Sequence, residues 1–333
     1  MTPQHVVVVG ATGAVGQEML KTLAQRRFPM ASLRLVASPA SAGRTVHFDG
    51  KDHTLLAPSR AAFEGATLAL FSAGASVSRE WGPVAASCGA LVVDNSSAFR
   101  MDTDVPLVIP EVNPEAMATR PRGIIANPNC STIQMLVALK PLHDAARIEH
   151  IVVSTYQAIS GKGARALAEL EAQTAQDARG ETPTHSVLPG VLAFNVLSDW
   201  KHEDSGYSEE ESKIIAETRK ILGMPGLHVS PTTVRVPVRN AHSESVWVRF
   251  ARPITRDEAL ALLRKAPGVQ VDDRIGAGLH PQPRLVTGQD DVFVGRVRQD
   301  PDDPTALALF IVGDNIRKGA ALNAVQIAEK VLG

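Results

Sequence analysis

A chain of 333 residues is too long for one ordinary hydrophobic core and long enough for two domains. With 44% hydrophobic and 21% charged residues, 4% aromatic content and a formal net charge of −1, nothing points to a nucleic-acid or membrane partner, and a ligand is expected to be recognised by a few placed charges. No apolar run reaches the length of a membrane span, Met1 to Val9 runs into a strand pattern with no basic leader, and two cysteines, Cys88 and Cys130, make no disulfide framework, so a reduced, cytoplasmic protein is expected.

Val6 to Val9 is a short apolar run ending at Gly10, the pattern of a buried parallel strand. Gly10-Ala11-Thr12-Gly13-Ala14-Val15-Gly16 follows, then a helical pattern from Gln17 to Gln25. Strand, glycine-rich turn and helix in that order is the context a phosphate-binding loop needs. Glycines let the backbone turn and approach a pyrophosphate, and the helix N-terminus offers free N–H groups and partial positive charge. The spacing is GxxGxxG rather than GxGxxG, so on this motif alone a tight βα turn without a ligand stays open. Leu33 to Ala37 reads as the second strand. Its end lacks the acid that would take the ribose 2′-hydroxyl of NAD; Ser38, Ser41 and Arg44 suit a 2′-phosphate, so NADP is favoured. Further strands are expected at Leu68–Phe71 and Leu91–Asp94, with Ser72-Ala73-Gly74 and Asn95-Ser96-Ser97 just past their ends, where open α/β sheets bind ligands; each is equally an ordinary turn. Cys88, in the helical segment Pro83–Gly89, reads as a buried core thiol.

Asn127-Pro128-Asn129-Cys130-Ser131-Thr132 lies between a strand-like Gly123–Ala126 and an apolar helical run, Ile133 to Leu142. Pro128 and Asn129 are boundary residues, which puts Cys130 at or next to a helix N-terminus. The helix dipole and free N–H groups there favour a thiolate, and the same N–H groups can hold an oxyanion. A packed core cysteine is the competing reading.

Beyond Ile148 the pattern changes. Ile151–Gln157 reads as a strand, Ala164–Asp177 as a helix, and Ser208 to Leu222 as an amphipathic helix capped by Ser208. On it Glu210 and Lys213 share a face, by spacing alone an ordinary surface ion pair. Val234–Val238, Val246–Ala251, Val292–Gln299 and Ala306–Val312 read as strands of a mixed or antiparallel sheet, Gly268 to Gly288 as an extended loop, and Ala320 to Leu332 as a final helix that returns to the first domain. Of ten histidines His242 stands out, because it sits beside Arg235 and Arg239 near a turn between two strands; a nucleophilic cysteine needs such a base, although a loop histidine is more often inert.

These segments together resemble the aspartate-semialdehyde dehydrogenase family along nearly the whole chain: GATGAVG from Gly10, DNSSAFR ending at Arg100, VPLVIPEVN from Val105, NPNCST around Cys130, STYQAISGKG from Ser154, EESK ending at Lys213, RVPV and RNAHSESV from Arg235, and GDNIRKGAA from Gly313. The resemblance implies an α/β protein: a Rossmann-type NADP-binding domain, 1–129 plus 314–333, and an α+β catalytic and dimerisation domain, 130–313, assembled as a homodimer. It implies reduction of aspartyl 4-phosphate by NADPH to aspartate 4-semialdehyde with release of phosphate, in the synthesis of lysine, methionine, threonine and diaminopimelate, without a metal. Carried over by residue, Cys130 is the nucleophile that forms a thioester, His242 the acid/base, and Gln157 the group that orients thiol and substrate. Arg235 takes the substrate carboxylate and Glu210 its ammonium; Arg100, Lys213 and Asn129 take the phosphate. Gly10, Thr12, Gly13, Ala14, Val15, Gly16, Ser38, Ala40, Ser41, Ala73, Gly74, Ser160, Gly161 and Asn315 line the cofactor site. Relatives often carry Arg where this chain has Ala40, and Arg44 is the substitute for that contact. Three alternatives stay open: an N-acetyl-glutamyl-phosphate reductase, which would not need Glu210; a glyceraldehyde-type phosphorylating dehydrogenase; and a non-catalytic paralogue, which would not need Cys130, Gln157, Arg235 and His242 together.

Overall fold

A computed structural model describes residues 1–198, 201–278 and 280–333. The described chain divides into two units, Met1–Asn129 with Ala320–Gly333, and Cys130–Gly319.

In the first unit β1 (Gln4–Val9), β2 (Met30–Val36), β3 (Thr45–Phe48), β4 (Lys51–Leu56), β5 (Leu68–Phe71), β6 (Leu91–Asp94) and β7 (Ile124–Ala126) form one sheet in the order β3-β4-β2-β1-β5-β6-β7. All neighbours are parallel except β3 with β4. The near-continuous apolar runs of a doubly covered parallel sheet are visible in its core, where Val6, Val8, Leu35, Leu70 and Val93 pack with Met19 and Leu23 of the helix Ala14–Gln25 and with Val325 and Ile327 of the last helix, Leu322–Leu332. Strand order reverses between β1 and β5, and that switch point is where such sheets take ligands.

Each glycine of the first turn has its own reason to be there. Gly10 has φ +83°, and a Cβ on it would press on the backbone N of Ala73 at 2.9 Å, so the turns after β1 and β5 meet at the switch point. Gly16 leaves no room for a Cβ beside the Gly10 carbonyl oxygen. Gly13 caps the helix Ala14–Gln25 with no side-chain acceptor, which leaves the first-turn N–H groups for another partner.

The β3–β4 hairpin has no counterpart among the expected elements. Asp49 and Gly50 join it with φ of +50° and +72°, the paired positive values of a type I′ turn, for which Asp-Gly is a sequence signature. Cys88 is the C-cap of the longer helix Ala75–Ser87 and is half-buried, not a core thiol: the chain leaves the helix there, so its side chain reaches the surface.

In the second unit β8 (Ile148–Gln157), β9 (Leu197–Ser198), β10 (His228–Arg235), β11 (His242–Phe250), β12 (Val269–Val271), β13 (Val292–Gln299) and β14 (Ala306–Gly313) pair in the order β12-β13-β14-β11-β8-β10-β9. The sheet is mixed: β8 with β10 and β12 with β13 run parallel, the rest antiparallel. The helix Cys130–Ala146 lies against β8, β11 and β14. The helix Glu209–Ile221 packs on β10 and starts with a capping box, in which the Ser208 hydroxyl accepts from the Glu211 N–H and the Glu211 carboxylate accepts from the Ser208 N–H at 2.8 Å.

Three expected boundaries move. β10 begins at His228, six residues before the expected Val234, and ends at Arg235. Pro231 disguises it; among the described residues β10 there pairs on one side only, with β8. β11 begins at His242, which is therefore a strand residue and not a turn residue. The expected loop from Gly268 to Gly288 contains β12 and a short helix, Pro283–Val286; Leu279 in it lies outside the described residues.

Gly50→Ala forces a Cβ into a left-handed backbone and should cost about 1 kcal/mol, read as a lower urea midpoint with catalysis unchanged. An unchanged midpoint would contradict the turn assignment.

Candidate active site

Three of the expected catalytic and substrate-binding groups sit at strand ends in the second unit and are brought side by side by register. Arg235 is the last residue of β10 and pairs with Gln157, the last residue of β8. In the antiparallel β8–β11 ladder Ser243 pairs with Tyr156, so His242, the first residue of β11, stands next to Gln157. The three form one row across three strands, on the face that alternates with exposed Tyr156 and Val152. All are buried: Arg235 is 3% exposed, and Gln157 and His242 are 0% exposed.

Cys130 is the first residue of the helix that covers this face and is half-buried. Its neighbour Ser131 accepts a hydrogen bond from Gln157 Nε2 at 3.1 Å, which ties the helix start to the row. The π-helical turn Arg317–Ala321 passes beside it, and a Cβ on Gly319 would come within 2.8 Å of the Cys130 Cβ, so this position needs glycine.

The imidazole of His242 has a defined tautomer. The Ala158 N–H donates to its Nδ1 at 2.9 Å, which places the proton of the neutral ring on Nε2. Nε2 finds no partner among the described residues and lies beside Gly161, where a Cβ would approach it to 3.4 Å and Arg235 Nη1 to 3.0 Å. Burial first, and then the positive charge of Arg235, hold the His242 pKa down at about 3, with Glu210 opposing. Glu210 is thus within electrostatic reach of the ring. It also pairs with Lys213 at 3.7 Å, as helical i,i+3 spacing requires.

A second group of expected residues forms one hydrogen-bonded junction. Asn315 Nδ2 donates to the Ser160 hydroxyl at 2.9 Å, and Asn315 Oδ1 accepts from the Ala241 N–H at 3.0 Å. Ala241 has φ +69°, a strained value for a residue with a side chain, held there by this bond immediately before His242. Asn315 therefore belongs with the second unit by its contacts, although the segment from 314 was expected with the nucleotide-binding domain.

In the first unit Arg100 is 8% exposed and donates from Nε to the Asn127 carbonyl at 2.9 Å and from Nη2 to the Asn95 carbonyl at 2.8 Å, so the ends of β6 and β7 fix it. Asn129 is buried at the end of the same segment. Ser38, Pro39 and Ala40 are exposed in a short 3₁₀ turn, Pro39–Ser41, and Arg44 is exposed just beyond it. Gly74 caps the helix Ala75–Ser87, as Gly13 caps the first, again with no side-chain acceptor.

Residues 5–120 match the family model described as semialdehyde dehydrogenase, NAD binding domain, and residues 139–318 the model described as semialdehyde dehydrogenase, dimerisation domain. An aspartate-semialdehyde dehydrogenase of Synechocystis sp. is 50% identical over 98% of this chain and 97% of its own, and one of Aquifex aeolicus is 50% identical over the same shares. The chain belongs to the aspartate-semialdehyde dehydrogenase family. It is an oxidoreductase with a Rossmann-type nucleotide-binding domain. The structure of aspartate semialdehyde dehydrogenase II from Vibrio cholerae, described as complexed with ASA, superposes with TM-score 0.96 at 44% identity over 100% of this chain and 99% of that one. An aspartate semialdehyde dehydrogenase from Candida albicans, described as with NADP, superposes with TM-score 0.77 at 25% identity over 99% of each chain.

Several residues around this dehydrogenase site escape the motif reading. Asp314 accepts from Asn240 Nδ2 at 2.8 Å and from the Gly288 N–H at 2.7 Å, which anchors the Asn315 junction. Asp94 accepts from Ser78 and Ser96 hydroxyls, each at 2.7 Å, and orders the turn that leads to Arg100; burial raises its pKa. Gln134, Ser131 and Glu244 are buried between the helix and the row. All five lie in or beside the quoted motifs, but their role depends on which face of the element they occupy. Among the described residues no group of three or more His, Cys, Asp or Glu is placed to hold a metal ion, and no helix is long and apolar enough to cross a membrane.

The His242 shift has a sign. Unfolded, the ring takes up a proton near pH 6.5; folded, it does so only near pH 3. Between those values the unfolded state binds more protons, so stability present above 6.5 is lost as pH falls toward 3. Urea unfolding at pH 7 and pH 5 should show a larger acid loss for wild type than for His242→Gln. Equal losses would contradict the buried neutral ring.

Proposed function

We propose that the chain catalyses reduction of aspartyl 4-phosphate to aspartate 4-semialdehyde with NADPH through a thioester on Cys130. The observation that carries this is the buried row Arg235–Gln157–His242 facing a helix that starts with a half-buried cysteine. The first-turn geometry supports a dinucleotide: Gly10 and Gly16 admit no side chain, and the helix start at Ala14 and Val15 leaves backbone N–H groups for a pyrophosphate. Thr12, Ala73, Gly74, Ser160, Gly161 and Asn315 complete that assignment, with Ser38, Ala40, Ser41 and Arg44 toward the 2′-phosphate. When bound, the nicotinamide supplies a hydride.

The chain's own residues do the rest. The helix N-terminus stabilises the Cys130 thiolate. Its sulfur attacks the acyl carbon, the bond from that carbon to the phosphate oxygen breaks, and the released phosphate takes up the proton that balances the reaction. Arg100, Lys213 and Asn129 are assigned to that phosphate, whose charge calls for cations and amide donors. Hydride addition to the thioester carbon gives a tetrahedral oxyanion; its collapse breaks the C–S bond, returns the thiolate and leaves the aldehyde. His242 carries its proton on Nε2 and is neutral across the working range. It therefore acts as a donor to the oxyanion rather than as a base from the resting state. Arg235 holds the α-carboxylate through its planar fork, and Glu210 the α-ammonium. The Glu210 carboxylate favours a free amine over an acetylated one, which sets this reading above an N-acetyl-glutamyl-phosphate reductase. Exposed Val152 and Tyr156 on the opposite sheet face, and the dimerisation-domain match, support a homodimer. The setting is a cytoplasmic one, in biosynthesis of the aspartate-derived amino acids.

Cys130→Ala should abolish phosphate-dependent oxidation of aspartate semialdehyde while NADPH binding, read by fluorescence titration, persists; retained turnover rejects the nucleophile. Arg235→Leu should cost about 2–5 kcal/mol in kcat/KM, mostly through KM. A loss in kcat alone counts against substrate binding by this residue. Arg44→Ala should raise the KM for NADPH about tenfold and leave NADH kinetics alone, as expected for loss of one charge-assisted phosphate contact; equal effects on both cofactors remove Arg44 from the 2′-phosphate site.

A further inference from the structure

Where the β11–β14 ladder ends, His242 pairs with Gly313, and the chain leaves the sheet through Asp314. Asp314 is 2% exposed, and its carboxylate accepts from both sides. Oδ2 takes Asn240 Nδ2 at 2.8 Å and the Gly288 N–H at 2.7 Å. Oδ1 takes the N–H groups of Ile316 and Arg317, each at 3.1 Å. Every one of these partners is a donor, so the two oxygens bind two different parts of the fold in the same sense.

One oxygen leads to the imidazole. Asn240 also accepts, through Oδ1, from the Ser160 hydroxyl at 2.9 Å, so its amide is held at both ends. The next residue, Ala241, keeps its φ of +69° with its N–H on Asn315 Oδ1 at 3.0 Å, and His242 follows. Consecutive residues 314 and 315 therefore grip consecutive residues 240 and 241, which keeps a strained backbone from relaxing. The other oxygen leads to the thiol. It orders the N–H groups of Ile316 and Arg317 at the start of the π turn. The Asp314 carbonyl accepts from the Gly319 N–H at 2.9 Å, the i to i+5 bond of that turn. Gly319 is the residue that lies against Cys130: a Cβ on it would come within 3.2 Å of the Cys130 Cα.

We propose that Asp314 is a positioning residue: it clamps the start of β11 and the π turn together and so sets His242 and Cys130 relative to each other. The clamp rests on the thioester reading for its catalytic meaning, but not for its geometry. It requires a carboxylate and not merely a polar group of that size. A carboxamide has one acceptor oxygen and one NH2. Whichever way it turns, the NH2 faces donors, Asn240 and Gly288 on one side or Ile316 and Arg317 on the other. A flip of the Asn240 amide does not remove the conflict, because the Gly288 N–H keeps its sense. One arm of the clamp is lost in either rotamer, with buried donors left against donors.

Kinetics and alkylation of the full-length protein test it. Asp314→Ala removes both arms and should lower kcat for aspartate semialdehyde oxidation about tenfold or more, with KM within about twofold, because Arg235 lies outside the clamp. Wild-type kcat, or a loss confined to KM, overturns the proposal. Asp314→Asn should not restore the lost rate; wild-type kcat in it shows that no carboxylate is needed and overturns the clamp. Asn240→Ala should also lower kcat, and adding it to Asp314→Ala should lower kcat little further. Losses that multiply mean that Asp314 does not act through Asn240, and overturn it too. Iodoacetamide alkylation, read by mass spectrometry on the peptide containing Cys130, should be about threefold faster or more in Asp314→Ala, since the turn packed on that residue loosens. Asn240→Ala leaves the π-turn arm intact and should keep the wild-type rate. A wild-type or slower rate in Asp314→Ala, or an equal rise in Asn240→Ala, contradicts the proposal. If Asp314→Ala fails to fold, Asp314→Asn and Asn240→Ala decide: lowered kcat with KM kept supports the clamp, and wild-type kcat in both rejects it. Alkylation requires no turnover, so it reads the link to Cys130 even if Cys130→Ala rejects the nucleophile.

Discussion

Parallel pairing of β10 with β8, and antiparallel pairing of β8 with β11, determine which side chains of the second unit stand beside one another. Because side chains alternate between faces, a slip of one residue in either ladder would send Arg235 or His242 to the face that carries Tyr156 and Val152. Register is therefore the constraint beneath the chemistry. It places a guanidinium, an amide and an imidazole in one row and a carboxyl one step behind. The helix that buries that face begins at the only cysteine in the second unit. The apolar residues of that helix, Ile133, Leu136, Val137 and Leu139, hold it against the sheet, and Cys130 is left at the one end where a helix stabilises an anion.

Desolvation then gives those groups their character. In water an imidazole titrates near neutrality and a carboxylate is charged. Here burial and Arg235 keep His242 neutral, and burial drives Glu244 in the same sense. In the proposed reaction the site thus keeps few net charges: Arg235 and Glu210, assigned to recognise an amino acid, and the sulfur assigned to react. In that proposal the polar groups between them serve as oriented dipoles, which act on a developing oxyanion without reorganising. The cost is a set of buried polar atoms that must satisfy one another, and the strained Ala241 backbone shows how tightly the Asn315 junction holds the start of β11.

Much of this was legible in the residues. Val6–Val9 before Gly10, and the apolar helix after Asn129-Cys130, carry period and punctuation that a local reading captures. The Ser208 cap with Glu211 three residues on is equally explicit. His242 was legible as a residue type beside Arg235 but not as a buried strand end, because the positive φ at Ala241 is a tertiary effect, held by Asn315 from far along the chain. Pro231 hid the first half of β10, since a proline within a strand pattern is tolerated only where the pairing allows it, and pairing is not encoded locally. The Asp49-Gly50 turn signal sits among polar residues, which hides the short strands on either side of it. Glu244 and Gln134 were silent for a different reason: they meet as buried polar groups between two elements, and no spacing within one element encodes that.

The thioester is the most direct object to look for. Protein incubated with aspartyl 4-phosphate in the absence of NADPH, quenched in acid, digested and analysed by mass spectrometry should carry the aspartyl acyl group on the peptide containing Cys130, with phosphate released in equal amount. Phosphate release with no adduct, or an adduct on Cys88 instead, would contradict a covalent role for the sulfur at the helix start.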